Sequence, residues 1–358
     1  MSTIRADLEK EGFEVNPYDA CTANKMIAGS QCTVVWHVDD LKVSHANPKV
    51  VDSFIKWIER KHGDPKLGKV KAKRGKVHDC LGMTLDFSEK WKVKVDQTKG
   101  IKQMLKEFPE PIRSTAETPA AENLFDVHES PLLDRDKADI FHSFVAKNLC
   151  FCKRGRPDIQ VAVAFLCTRV KEPTQQDWHK LMRLMRHLKG SQDVILTLGT
   201  TAGAVMKWFA DAAFAAHQDM KSHTGLNMTW GQGSVISASR KQKLNTTSSC
   251  EAELVAANDA MGPLMWTKLF LQKQGCNPTI MSEQDNTSAI LLERNGKSSS
   301  GKRTRHLNIR FFHITDLLEK QEFEVEHCPT EDMQADFLTK PLQGEKFKKM
   351  FKWLMGIE

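Results

Sequence analysis

Two hydrophobic periods alternate along the chain. Cys32-Thr33-Val34-Val35-Trp36-His37-Val38 reads as the return strand of a hairpin over residues 21–45, with its turn at Ala28-Gly29-Ser30-Gln31. Val51, Phe54, Ile55 and Ile58 then repeat at helical spacing over 48–62, with Pro48 near the start. Residues 1–12 read as a short helix ending at Gly12, 77–95 as two strands around Phe87-Ser88-Glu89-Lys90, and 97–107 as a helix. Four prolines (Pro109, Pro111, Pro119 and Pro131) make 109–135 a linker in character. Three helices are expected next: Phe141–Phe151, one opened by Pro157, and Pro173–Leu188 with a stripe of Trp178, Leu181, Met182, Met185 and Leu188.

The last third changes to strands followed by strand–helix alternation. Strands are expected near 204–211, 224–230 and 233–238, then a long helix from 248 to about 274. A strand near 279–285, helices near 286–294 and 305–320, a strand near 322–327 and a short helix opened by Thr330 follow. The order implies an α/β (α+β) protein with a mixed sheet flanked by helices. The closing Lys346–Leu354 stretch is a basic amphipathic helix expected to pack Phe, Met and Trp on the domain. No Rossmann glycine pattern or phosphate loop occurs.

Composition narrows the class. At 358 residues, two or three domains are expected. Hydrophobic content of 40% and charged content of 27% are ordinary for globular domains. No apolar run is long enough for a membrane span, and the first residues lack the apolar core of a signal peptide. Nine cysteines without paired metal spacing suggest reduced thiols, hence an intracellular protein, cytoplasmic or nuclear. A net charge of +7 suits a polyanionic partner.

The candidate chemistry is acidic. Ser248 or Ser249 can cap the long helix, and Glu253 projects from its slim packed face of Ala257, Ala260 and Leu264. Glu251 lies about 160° round that helix and is expected at the solvent. Asp211 closes the apolar run Val205–Ala210, Asp285 ends another just before a helix start, and Asp336 sits in the short helix after Thr330. Carboxylates at such element ends can converge on one pocket. Two-metal phosphodiester cleavage needs that cluster, and Mg²⁺ (or Mn²⁺) asks only for oxygen ligands.

Phe209-Ala210-Asp211, Ser249-Cys250-Glu251-Ala252-Glu253-Leu254, Asp285–Ile290 and Ala335–Leu342 resemble the ribonuclease H domain of copia-type retrotransposon polyproteins. Lys221-Ser222-His223-Thr224-Gly225 and Arg303-Thr304-Arg305-His306 also match, all in the family's order over roughly residues 200–355. Ala213 stands where the family usually carries a second acid. The resemblance implies a ribonuclease H-type endonuclease with an RNase H-like five-stranded mixed sheet, and Asp211, Glu253, Asp285 and Asp336 as its metal-binding quartet. Asp211 and Asp285 would hold the metal that activates water, and Glu253 the metal at the leaving 3′ oxygen. His306 is the candidate proton shuttle. Lys302, Arg303 and Arg305 are candidates for gripping the phosphates of an RNA–DNA hybrid.

Upstream, Gly12–Asp19, Val38-Asp39-Asp40 and Cys80–Leu85 resemble the later palm of a copia-type reverse transcriptase. Asp39 and Asp40 would then be the paired metal-binding aspartates of the polymerase centre, with His37 where the family has Tyr. The family's earlier palm aspartate and fingers precede residue 1 in that order, so polymerase activity is not expected from this chain alone. Residues 66–76 carry six basic residues in eleven, and Lys69, Lys71, Lys73 and Arg74 are further candidates for phosphate contacts. Arg156-Pro157-Asp158 and His187-Leu188-Lys189-Gly190 match the family's helical connection, where Lys180, Arg183 and Arg186 recur at three-residue intervals. The expected organisation is a partial palm at 1–108, a linker at 109–135, a helical thumb/connection at 136–200 and an RNase H-like domain at 201–358. The expected partners are an RNA–DNA hybrid or other nucleic acid, and the upstream part of the polyprotein, without a membrane. The alternative is a non-catalytic nucleic-acid-binding remnant of a transposon.

Overall fold

A computed structural model describes residues 2–38, 40–63, 70–295 and 308–357. Asp39, Lys69, Lys302, Arg303, Arg305 and His306 lie outside the described residues. The chain divides into two units, Met1–Cys80 with Leu264–Pro278, and Leu81–Pro263 with Thr279–Glu358.

The first unit contains α1 (Ser2–Lys10), β1 (Glu14–Val15), β2 (Thr22–Ile27), β3 (Ser30–His37), β4 (Asp40–Ser44), α2 (Pro48–His62) and β5 (Val77–Cys80). Strands β1 to β4 form an antiparallel sheet in sequence order. The expected hairpin forms because Ala28 and Gly29 both take positive φ, 50° and 77°, which matches the strand twist. Cys32, Val34 and Trp36 point inward at the period of a strand. They meet Phe54 and Ile58 of α2, whose first turn is capped by the Asn47 side chain accepting from Lys49 N–H at 3.0 Å. Trp266 and Phe270 also belong to this unit: Trp266 Nε1 donates to Tyr18 O at 2.7 Å, and Phe270 O accepts from Asn16 Nδ2 at 3.2 Å.

The second unit opens with β6 (Met83–Asp86), β7 (Lys92–Asp96) and α3 (Thr98–Glu107). Then come α4 (Arg135–Cys152), a 3₁₀ turn at Pro157–Ile159, α5 (Gln160–Cys167) and α6 (Gln175–Gly190). Phe141, Phe144 and Val145 of α4, Phe165 and Leu166 of α5, and Trp178, Leu181 and Met185 of α6 fill one apolar core. The proline-rich stretch joins that core through Ala120, Leu124 and Leu133. Strand β8 (Leu196–Gly199), which the apolar pattern did not suggest, pairs antiparallel with β7.

The remainder is β9 (Met206–Ala213), β10 (His223–Thr229), β11 (Ile236–Lys241), α7 (Ser249–Lys273) as far as Pro263, β12 (Ile280–Gln284) and α8 (Thr287–Asn295). It closes with α9 (Asn308–Glu319), β13 (Glu324–His327), α10 (Asp336–Thr339) and α11 (Gly344–Met355). The expected mixed five-stranded sheet forms, in the order β11-β10-β9-β12-β13. β9 runs antiparallel to β10 and parallel to β12, which in turn runs parallel to β13. β9 is buried on both faces. Ala212 packs with Ala252 and Ala256 of α7, small side chains that let the helix approach closely, while Phe209 meets Met333 and Ala335 beside α10. No helix among the described residues is long and apolar enough to cross a membrane.

Candidate active site

Three elements bring acids together. Asp211 lies near the end of β9 at 1% exposure, Glu253 near the start of α7 at 7%, and Asp285 just past the end of β12. Parallel pairing of β9 with β12 sets the two strand ends side by side, and the alanine contact draws α7 across them. One carboxylate oxygen from each of the three lies within 4.8 Å of the others.

The carboxylates of Glu253 and Asp211 are held from behind, and so is the backbone of Asp285. Glu253 Oε2 accepts from Ala212 N–H at 3.1 Å, so the residue after Asp211 orients its partner on the helix. Thr339 Oγ1 donates to Asp211 Oδ2. Gln284 Oε1 accepts from Asp285 N–H at 3.0 Å and Asn286 N–H at 3.3 Å. Asn286 Oδ1 then accepts from Ser288 and Ala289 N–H at 3.0 and 3.1 Å, capping α8.

Crowding like charges at low exposure penalises their ionised forms. Burial, then Asp211 and Asp285, push the Glu253 carboxyl up to about 10. Burial also raises Asp211, to about 6, with Asp336 and Asp285 adding to the rise and Lys340 and Thr339 opposing it. A trio of carboxylates that resists full ionisation by itself is suited to a hard dication, which reverses that balance and prefers oxygen donors.

The fourth expected acid has different company. Asp336 is completely buried, and its two oxygens are taken by Lys340 and by Lys346, the latter at 2.6 Å. Lys340 Nζ also stands 3.5 Å from Asp211 Oδ2. Thr339, Lys340 and Lys346 were not singled out by sequence reasoning. The i, i+4 spacing of Asp336 and Lys340 was the available signal. Gly225, paired with Asp211 across the sheet, explains part of the Lys221–Gly225 match. A Cβ there would sit 2.7 Å from Ala335 O and 2.6 Å from Thr339 Cγ2, so only glycine admits α10 this close.

Glu251 corrects an expectation. It is 5% exposed rather than solvent-facing, because its carboxylate turns back to accept from Thr247 N–H at 2.7 Å and Thr247 Oγ1 at 2.8 Å. Ser248 Oγ accepts from Glu251 N–H at 3.2 Å, completing a reciprocal cap on α7.

No family model matches the chain. Over 204 residues, 56% of this chain and 15% of the relative, it is 31% identical to the retrovirus-related Pol polyprotein from transposon TNT 1-94 of Nicotiana tabacum. Over 200 residues, 54% of this chain and 13% of the relative, it is 30% identical to that from transposon RE2 of Arabidopsis thaliana. The chain is homologous to retrotransposon Pol polyproteins. It spans only a small part of the length of either. Among solved structures, LC11-RNase H1 isolated from compost matches at 17% identity with a TM-score of 0.29, over 38% of this chain and 92% of that one.

The upstream Pol-like residues stand apart from the trio in character. Asp40, described without its neighbour Asp39, is exposed at the start of β4 and pairs across the ladder with His37. Lys71, Lys73 and Arg74 are exposed. Lys73 pairs with Asp79 at 3.0 Å and Arg74 with Asp52 at 3.3 Å, so two of these three cations already have acidic partners.

Proposed function

We propose that the chain is a ribonuclease H-type fragment of a retrotransposon Pol polyprotein that hydrolyses the RNA strand of RNA–DNA hybrids with divalent metal. The observation that carries this reading is the meeting of Asp211, Glu253 and Asp285, from two strand ends and a helix, within 4.8 Å in a largely buried cluster. Residues 201–358 would be the nuclease domain, 136–200 its helical connection with 109–135 leading in, and 1–108 part of a palm in which Asp39 and Asp40 form the paired aspartates. The homology to Pol polyproteins agrees with this assignment.

Mg²⁺ or Mn²⁺ held by the trio would activate water and neutralise charge at the scissile phosphate. The protein's own residues do the positioning. Ala212 N–H and Thr339 Oγ1 fix one oxygen each of Glu253 and Asp211. Burial and the neighbouring Asp211 and Asp285 favour the protonated form of Glu253, and a bound dication would favour its ionised, ligating form. Lys340 offsets the charge of Asp211 and Asp336 together, so Asp336 shapes the field at the trio even with both its oxygens engaged.

The test is cleavage of a labelled RNA–DNA hybrid in Mg²⁺ by the chain and by Asp285→Asn. RNA-strand cutting by the first, reduced on the order of a hundredfold or more in the second, supports the reading. Lys340 beside Asp211 favours one rival, hybrid binding without catalysis. Salt-sensitive binding that needs no metal, with no cutting by either protein, would establish that rival instead.

A further inference from the structure

The loop before Ala120, the outer face of α6 and the start of α11 enclose a cavity of about 470 Å³, within the size range of ligand sites. Its charged lining is mainly basic. His179, Arg183 and Arg186, at i, i+4 and i+7 on α6, all reach it, joined by Thr118, Gln343 and Gly344. Lys180, which the sequence grouped with these arginines, goes elsewhere. Its ammonium donates to Asp126 O at 2.6 Å and lies 4.3 Å from the centre of the Phe165 ring.

Arg183 is set in place rather than loose. Its Nη2 donates to Thr118 Oγ1 at 2.8 Å, and that oxygen lies 2.9 Å from Gln343 Oε1. Gln343 Nε2 in turn donates to Ala120 O and Pro341 O, both at 2.9 Å. Arg183 Nε is buried with no acceptor, a costly state for a charged donor unless a ligand or water supplies one. The first turn of α11 has no side-chain cap, and Gly344, at φ 56°, has open space where a Cβ would stand. Glu117 is the acid on the rim, and its charge is also felt by Lys348.

We propose that this cavity binds a backbone phosphate of the nucleic acid on which the carboxylate trio acts. The inference rests on the proposed nuclease function and adds a second contact to it. Planar guanidinium forks match phosphate oxygens, and an uncapped helix start adds N–H donors to the same anion. The position suits a shared substrate. Lys340 stands at Asp211, and Gly344 is four residues on, at most ~14 Å of extended backbone.

The experiment measures binding of an RNA–DNA hybrid to the full chain across a salt series, in an Asp285→Asn background so that the substrate stays intact. Arg186→Glu and His179→Ala/Arg186→Ala are expected to weaken binding about tenfold and to flatten the slope of log K against log salt by about one. Arg186→Lys is expected to keep the slope, and Lys320→Glu at the end of α9 serves as a control for the same change of charge. Unchanged affinity and slope in the α6 variants, with the parent binding normally, would overturn the cavity assignment and leave the nuclease reading standing. An equal loss in Lys320→Glu would overturn it too, since charge alone would then account for the effect. A parent that binds no hybrid removes both. Thermal unfolding of each variant separates lost binding from lost fold, and Arg186, being exposed, is the substitution the fold tolerates best.

Discussion

Arg156 and Asp158 form a bidentate ion pair with essentially no solvent contact: Nε to Oδ1 and Nη2 to Oδ2 are both 2.8 Å, at 1% and 0% side-chain exposure. His187 Nε2 lies 3.1 Å from the same Asp158 Oδ2, and Arg156 also donates to Ser191 O and Ser191 Oγ. Two stretches that matched the family separately, around residue 156 and around residue 187, thus meet in one network that ties the entry to α5 to the end of α6. Burial alone would raise the Asp158 carboxyl, but the Arg156 guanidinium and His187 hold it well below the usual carboxylate range.

Asp158→Asn would leave a buried guanidinium half-paired, and is expected to cost about 3–5 kcal/mol. The urea midpoint measures this directly. Arg156→Met/Asp158→Leu should recover most of the loss, because it removes both charges. The pair's own contribution is present above the unfolded carboxyl pKa of about 3.9 and is lost only as pH falls below it toward the depressed folded value.

A second buried network predicts sensitivity to milder acid. His217 Nε2 lies 2.9 Å from His223 Nδ1, and His223 Nε2 lies 2.8 Å from Ser239 Oγ. Burial lowers His217 to about 4 and His223 to about 3. Both rings are therefore neutral when folded, while the unfolded chain takes up protons below about pH 6.5. Stability should be complete above that pH and decline as pH falls toward 4 and then 3, by about 1.4 kcal/mol per unit for each titrating ring. Urea unfolding at pH 7 and pH 5 reads the slope, and His223→Gln is expected to flatten it.

Gly225→Ala should act on the site through packing. The added methyl meets backbone at Ala335 O, which cannot rotate away, so α10 and Thr339 must shift off Asp211. Overpacking of this kind costs about 1–3 kcal/mol. Hybrid cleavage should fall further than the melting temperature alone explains, and cleavage rates taken well below that temperature distinguish the two.

Lys346→Ala should change the metal requirement. It frees Asp336 Oδ2 while Lys340 keeps the other oxygen, adding negative potential near the trio. The Mg²⁺ concentration at half-maximal cleavage is expected to fall roughly twofold to fivefold. A rise in that concentration would mean that Lys346 acts through α11 packing instead.

Glu251→Ala removes both contacts to Thr247 and is expected to cost about 1 kcal/mol in denaturant unfolding. Glu251→Gln, which can still accept the Thr247 N–H, should lose less.

The order of strands and helices was legible in the chain because it follows local rules. The hairpin at Ala28-Gly29 and the stripe on α6 each follow from one short window. So did the identity of the acids: Asp211, Glu253 and Asp285 stand at element ends in matched motifs, and three of the four expected carboxylates meet. What local pattern did not carry was company. β8 is four residues long and takes its strand form from pairing with β7, which no window around residue 196 contains. Glu251 was misplaced because helical phase assigns a face but not the loop that folds back onto it. Asp336 and Asp211 came out of the sequence as equivalent acids, yet one is held by two lysines and the other stands with two carboxylates. Lys346 reaches Asp336 from the next helix, and Arg183 is parted from Lys180 by which neighbour each side chain finds. The sequence determined the elements, their order and the acids, because periodicity, capping and motif spacing act within a few residues. Tertiary structure decided which charges face one another, because electrostatic energy depends on separation and burial in space, and folding alone brings distant residues within reach.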